Sequence, residues 1–135
     1  MLTYFRRRLL WVDCTAAAIA GVLVVTFNGW LSRLHALPQE LLQLIGAVNL
    51  LYACYSFLLA RRPERPMTLI KLLVCANAAW AVVCLSLAAS FWEQASLFGI
   101  AHLIGEATIV GGLAALEWNQ RDQLANVKAS FVRSA

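Results

Sequence analysis

Apolar runs long enough to cross a lipid bilayer constrain this chain more than any other feature of its sequence. About 20 apolar residues span the ~30 Å hydrocarbon layer of a membrane. Transmembrane helices are predicted over about residues 9–27, 38–60, 67–90 and 95–117. Charged residues make up only 13% of the 135 residues, roughly half of the ~25% that is typical of a soluble domain. We therefore expect residues 1–135 to form a single all-α membrane domain, an antiparallel four-helix transmembrane bundle.

The positions of the basic residues predict how this bundle is oriented. Short arginine blocks flank the apolar runs, at Arg6–Arg8 and at Arg61, Arg62 and Arg65. If the N-terminus is cytoplasmic, all of the 11 Lys and Arg residues except Arg33 lie on the cytoplasmic side. Cytoplasmic loops carry such an excess of basic residues, so both termini are predicted to be cytoplasmic, in a bacterial inner membrane. The net charge of +4 follows from this distribution, and no nucleic-acid-binding motif or basic stripe is present.

The segments outside the four spans are short. Residues 28–37 are predicted to lie along the membrane surface as one or two helical turns. The basic start of the chain, followed by an apolar run, resembles a signal peptide, but no small-residue cleavage site follows, so the first span is predicted to be retained. In the cytoplasmic tail, 118–135, Leu124, Val127 and Phe131 have helical spacing. Two interpretations remain open for this tail, an interfacial helix or a frayed end.

Glu106 is the leading candidate for a functional residue because it lies near the middle of the fourth span. A charged carboxylate at the centre of a bilayer costs roughly 2.5–3.5 kcal/mol on insertion scales. His102 precedes Glu106 by four residues and therefore lies on the same helix face. A Glu–His pair inside a membrane can exchange protons near physiological pH or bind a cationic ligand. We predict that this pair forms the site.

Polar residues of the second and third spans are predicted to face the same interior. Asn49 and Asn77 lie near the middle of their spans, so with Glu106 they are predicted to meet near the midplane of the membrane. Tyr52 and Trp80 follow the two asparagines by three residues and are predicted to form aromatic walls for a cationic ligand. The alternative is that the asparagines only hold helices together, through hydrogen bonds worth roughly 0.6 kcal/mol each.

Asp13 is a secondary polar residue of the first span. It lies near the predicted cytoplasmic edge, where the arginines of Arg6–Arg8 or a lipid headgroup are expected to compensate its charge. A role in topology or headgroup binding is therefore predicted for Asp13, not catalysis.

Two further patterns concern helix packing. Ala107, Gly111 and Ala115 have the four-residue spacing of small residues that lets helix backbones approach closely. They are predicted to pack against a neighbouring helix, either within one bundle or in a dimer. The segments Asn49–Ala53 and Asn77–Ala81 share the pattern Asn-x-x-aromatic-Ala, which is too short to establish an inverted repeat.

In having four short helices and a membrane acid, the chain resembles the small multidrug transporters. In those transporters the acidic residue lies in the first helix, whereas the central acidic residue here, Glu106, lies in the fourth span. The sequence motif of that family is also absent, so the resemblance assigns no site residue to this chain. The four cysteines form no Cys-x-x-Cys pattern. We therefore expect no metal site and no cofactor.

These patterns predict a small membrane protein whose polar core binds a proton or a small ligand, as a transporter or channel does, and which assembles as a homo-oligomer. Two alternatives remain open. One is a non-catalytic accessory subunit of a larger membrane complex. The other is an intramembrane enzyme that uses His102 and Glu106 as acid and base, although neither a nucleophile nor a metal cluster accompanies them. The lipid bilayer is the expected partner, and nucleic acid is not.

Overall fold

In the computed structural model, residues 8–125 are described, and this part of the chain is helical without strands. We number its helices α1 to α6 in chain order. Their bounds are Leu9–Thr26, Asn28–His35, Gln39–Arg61, Met67–Ser90, Leu97–Asn119 and Arg121–Ala125. Helices α1, α3, α4 and α5 are long and apolar enough to cross a membrane. The prediction of an all-α protein with four candidate spans is confirmed.

The ends of the spans lie within two residues of the predicted positions, and local capping explains the largest difference. Helix α5 begins at Leu97 instead of residue 95 because Ser96 is its N-cap. The Ser96 side chain accepts a hydrogen bond from the backbone N–H of Gly99 at 3.2 Å, which satisfies one of the free donors at a helix start. At its other end α5 extends to Asn119, two residues into the predicted tail.

The segment predicted at the membrane surface is the short helix α2, and its C-terminal end is tied to the start of α5. Ala36 has a left-handed backbone conformation, with φ of 52°, and ends the helix. The Ser96 hydroxyl donates to the carbonyl of Leu34 at 2.6 Å, and the Ser96 N–H donates to the carbonyl of His35 at 2.9 Å. Trp30 is exposed, as a surface position requires, whereas Leu37 is buried in the protein core.

Helix α1 packs along α3, and two glycines permit the closest approach of their backbones. A Cβ atom added to Gly21 would lie 3.0 Å from the carbonyl oxygen of Gly46 and 2.7 Å from the Leu50 side chain. A Cβ atom on Gly46 would lie 3.3 Å from the carbonyl oxygen of Gly21. Glycine is therefore required at both positions for this helix–helix distance.

Helix α4 packs along α5, while contacts between this pair and the α1–α3 pair are sparse. Two clusters of buried apolar residues join the pairs. One consists of Leu9, Leu10, Leu59, Ala60, Ile70, Leu73 and Leu124. The other consists of Val24, Leu37, Leu42, Ile45, Ala88 and Leu103. On α1, α3 and α4 the polar residues Asp13, Asn49 and Asn77 lie between the members of these two clusters.

Part of the predicted tail belongs to this packed structure. Leu124, on the short helix α6, is buried in the first apolar cluster together with Leu9 and Leu10. Leu124 therefore fits neither a surface helix nor a frayed end. Burial of its apolar side chain in the protein core is more favourable in free energy than a position at the membrane interface. Val127 and Phe131, which share its spacing, lie outside the described residues.

The small residues predicted to pack on α5 differ in their surroundings. Ala107 is buried, and Gly111 faces Ala81 of α4, where an added Cβ atom would lie 3.7 Å from the Ala81 Cβ. Ala115 is exposed. Of these three residues, Gly111 is therefore the one that faces α4 of the same chain.

Gly99→Ala is expected to destabilise the protein. Its new Cβ atom would overlap the carbonyl oxygen of His35, which accepts the hydrogen bond from Ser96. The misfit should lower the free energy of unfolding by about 1–3 kcal/mol, as overpacking does. Gly112→Ala is the matched control, because nothing lies within 4 Å of a Cβ atom at this position in the same helix. Thermal unfolding in mild detergent measures both, and equal stabilities for the two variants would contradict the proposed contact.

Candidate functional site

A cavity of about 510 Å³ lies between the α1–α3 pair and the α4–α5 pair. All four long helices contribute to its lining, which is mostly alanine, valine and other small apolar residues. The polar side chains on the cavity wall are Asp13, Asn49, Tyr52, Asn77, His102 and Glu106. No lysine or arginine of the described chain is among the lining residues. The cavity is therefore apolar with two acidic positions.

Glu106 is held by side chains from three helices. Its Oε1 accepts hydrogen bonds from Nδ2 of Asn49 at 2.8 Å and from the indole Nε1 of Trp80 at 2.7 Å. Its Oε2 lies 3.2 Å from Nε2 of His102. Asn49 comes from α3 and Trp80 from α4, while His102 precedes Glu106 by one turn of α5. The carboxyl group therefore has a fixed position and direction before any ligand arrives.

The exposure of this pair shows that it is accessible without being at the surface. The Glu106 side chain is 12% exposed, and that of His102 is 23% exposed. Both residues line the cavity. Oε1 of Glu106 is occupied by two donors, whereas Oε2 faces only the histidine, so Oε2 has capacity for one more partner.

The hydrogen bonds of Asn77 go to side chains other than Glu106, although the three polar residues were predicted to meet near the midplane. Its Nδ2 donates to the Tyr52 hydroxyl at 2.7 Å and to Oε2 of Glu117 at 3.0 Å. Tyr52 in turn donates to Oδ2 of Asp13 at 2.6 Å. The structure thus divides the predicted site residues into two groups: one around Glu106, and a second around Asp13 and Glu117.

The surroundings of Asp13 also differ from the expected ones. Asp13 is only 2% exposed, and its Oδ2 accepts hydrogen bonds from Tyr52 and from the Ser56 hydroxyl, the latter at 3.1 Å. Side chains of α3 therefore satisfy this carboxyl from inside the protein, in place of a headgroup. Of the arginines that were the other predicted partners, Arg6 and Arg7 lie outside the described residues, and Arg8 is exposed at the start of α1.

Glu117 was missed by the sequence analysis because it is the last residue of the predicted fourth span. The structure buries it completely, with an exposed fraction of 0%. A signal was available, since residues 11 positions apart in an α-helix are separated by only about 20° around the axis. Glu117 follows Glu106 by 11 residues and thus lies on the same face of α5.

His35 is a second residue that the sequence analysis missed. It is 5% exposed, and its ring packs edge-to-face on that of His102, with 4.9 Å between the ring centroids. Within residues 8–125 no hydrogen-bond partner reaches its Nδ1. Burial lowers the pKa of His35, and the neighbouring His102 lowers it further. The two histidines and Glu106 form a continuous row from the end of α2 into the cavity.

The chemistry of this wall follows from one fixed carboxyl group beside apolar surface. A carboxylate fixed by neutral donors, beside aromatic and aliphatic surface, can pair with a positive charge on a mostly apolar molecule. Among the described residues no group of three His, Cys, Asp or Glu side chains has the arrangement of a metal site. No family model, curated protein or solved structure matches this chain.

His35 is expected to make stability depend on pH. Its lowered pKa means that the folded protein binds fewer protons than the unfolded chain, so stability is full above the unfolded value and is lost as pH falls through it. Wild type should therefore lose thermal stability between about pH 7.5 and pH 5.5, on either side of the usual histidine pKa of ~6.5. His35→Gln should lose less over the same range. The same pH slope in both proteins would show that His35 is not the group responsible.

Proposed function

We propose that this chain is an integral membrane protein that binds a small lipophilic cation in its cavity, with Glu106 as the counter-charge. The observation that carries the proposal is the geometry of the Glu106 carboxyl, which Asn49 and Trp80 fix at 2.8 Å and 2.7 Å. Neither of these donors carries a charge. Glu106 thus keeps its capacity to attract a positive group, which a lysine or arginine partner would have neutralised.

The size and lining of the cavity support a ligand of this class. A volume of about 510 Å³ lies within the ~300–1,000 Å³ typical of small-molecule sites. Its walls are largely aliphatic, and the Trp80 and Tyr52 rings are part of the lining. Aromatic faces attract cations, most strongly where water is excluded. A hydrated metal ion would find few oxygen ligands there, whereas an organic cation would bury its apolar part.

His102 gives this binding a link to protons. Its Nε2 lies 3.2 Å from the oxygen of Glu106 that has room for another partner. A cation bound at that oxygen repels any proton that the His102 ring carries. Cation binding and proton release are then coupled, as a transporter that exchanges the two would need.

The finer arrangement that we propose is an antiparallel bundle with both termini in the cytoplasm of a bacterial inner membrane. The excess of basic residues supports it, since Arg61, Arg62 and Arg65 surround the α3–α4 connection. Among the basic residues of the described chain, Arg33 alone lies in the α1–α3 connection at the other end of α3. Assembly into a homo-oligomer stays a prediction.

Glu106→Gln tests the proposed counter-charge. Benzyltrimethylammonium is a suitable probe because its charge does not change with pH, and binding to the protein in lipid nanodiscs is measured by isothermal titration calorimetry. Wild type should bind it, and Glu106→Gln should bind at least tenfold more weakly, a loss of about 1.4 kcal/mol or more. Glutamine keeps the shape of the side chain and one acceptor oxygen for Asn49 and Trp80, while it removes the charge.

Two controls make the result specific. Glu93→Gln removes one exposed carboxyl outside the cavity and should bind the probe as wild type does. Neopentylbenzene, the neutral isostere of the probe, should bind with equal affinity to wild type and to Glu106→Gln. Equal binding of the cation by wild type and Glu106→Gln would refute the proposal. Absence of any binding by wild type would also refute it and would favour the accessory-subunit alternative.

A further inference from the structure

One oxygen of the second polar group has no hydrogen-bond donor. Glu117 is 0% exposed, and its Oε1 has no partner among the described residues. Its other oxygen, Oε2, accepts a single hydrogen bond, from Asn77. A buried carboxylate with one donor is poorly compensated, because burial of an ionised carboxyl requires several hydrogen bonds or a cation.

The donors around Glu117 are already used. Both N–H groups of the Asn77 amide are engaged, one by Glu117 and one by the Tyr52 hydroxyl. The only O–H of Tyr52 points to Asp13, and the Ser56 hydroxyl lies 3.1 Å from the same Asp13 oxygen. A rearrangement of these side chains therefore cannot supply a donor to Oε1 without removing one elsewhere.

The ionisable neighbour of Glu117 is Asp13: hydrogen bonds through the Asn77 amide and the Tyr52 hydroxyl link the two carboxyls, and each carboxyl acts on the other. The groups that act on this pair come from each packed helix: Asp13 from α1, Tyr52 and Ser56 from α3, Asn77 from α4 and Glu117 from α5. None of them is a cation. The Cys14 thiol, beside Asp13, donates to the carbonyl of Ala53 instead.

We propose that Asp13 and Glu117 form a carboxyl–carboxylate pair that holds one proton between them, a proton-binding site separate from Glu106. The shared proton provides the missing donor, because one carboxyl donates its O–H to the other. It also reduces the charge of the pair from −2 to −1, and two carboxylates in contact cannot both stay ionised at low cost. Release of the proton to water would restore the second charge and leave Oε1 without a donor again.

The position of the pair connects it to the cavity. Asp13 lines the cavity wall, whereas Glu117 is not among the lining residues. Glu117 is separated from Glu106 by three turns of α5, about 16 Å along the helix axis. Protons can therefore reach the pair from the cavity, at a distance from the proposed cation site. This inference does not depend on the identity or the existence of the cation ligand.

Infrared difference spectroscopy of the protein in lipid nanodiscs tests the proposal, because a protonated carboxyl has a C=O stretch well separated from the carboxylate bands. Wild type at neutral pH should show this band. Glu117→Gln and Asp13→Asn should both lose it, since an amide donates to the remaining carboxylate and no shared proton is needed. Asp122→Asn, which changes an exposed carboxyl, should keep it.

The wild-type titration gives a second readout that does not depend on how the variants fold. Two carboxyls that share a proton release their protons in two separate steps. The band should grow in one step on acidification from neutral pH and disappear in another on alkalinisation. Absence of the band from wild type at neutral pH would overturn the proposal. Persistence of the band in either Glu117→Gln or Asp13→Asn would also overturn the proposal. So would titration of both carboxyls in a single step at acidic pH.

Discussion

A polar side chain in the hydrocarbon layer has no water to bind, so neighbouring helices must supply its partners. In this chain three acidic residues of the long helices lie on the first and the last of them: Asp13 on α1, and Glu106 and Glu117 on α5. Apart from His102, which lies on α5 beside Glu106, the side chains that donate to them within residues 8–125 come from α3 or α4. Since α1 packs on α3 and α4 packs on α5, the hydrogen bond from Asn49 to Glu106 runs between the two helix pairs, and so does the one from Asn77 to Tyr52. They hold the pairs at a distance that leaves a cavity.

The repeated pattern Asn-x-x-aromatic acquires a structural meaning in this arrangement. Asn49 of α3 and Trp80 of α4 bind the same oxygen of Glu106. Tyr52 of α3 and Asn77 of α4 bind each other beside Asp13 and Glu117. Each polar group thus takes an asparagine from one helix and an aromatic residue from the other. Five matching residues do not establish an inverted repeat, but the same short pattern on α3 and α4 supplies one asparagine and one aromatic residue to each polar group.

The sequence was sufficient to predict the helices because long apolar runs have one stable form in a membrane. It also identified Glu106 and His102 as neighbours, since spacing along one helix determines their direction. It could not show which acidic residue Asn77 binds. The distance of a residue from its helix ends indicates its depth in a span, but not which helices lie beside it. Glu117 and His35 were missed for a related reason: each lies at or near the end of a helix, where sequence patterns indicate surface. The 11-residue spacing from Glu106 gives the helix face of Glu117 but not its burial, which depends on tertiary packing.

The direct test of the central claim is the distance between the Trp80 indole nitrogen and the Glu106 carboxyl in a lipid bilayer. Solid-state NMR can measure the dipolar coupling between indole ¹⁵N and glutamate ¹³Cδ, with Trp80→Phe identifying the signal. A hydrogen bond of 2.7 Å from nitrogen to Oε1 predicts a strong coupling that is absent from Trp80→Phe. No coupling in wild type would mean that Glu106 is not held inside the helices, and the site built around it would have to be abandoned.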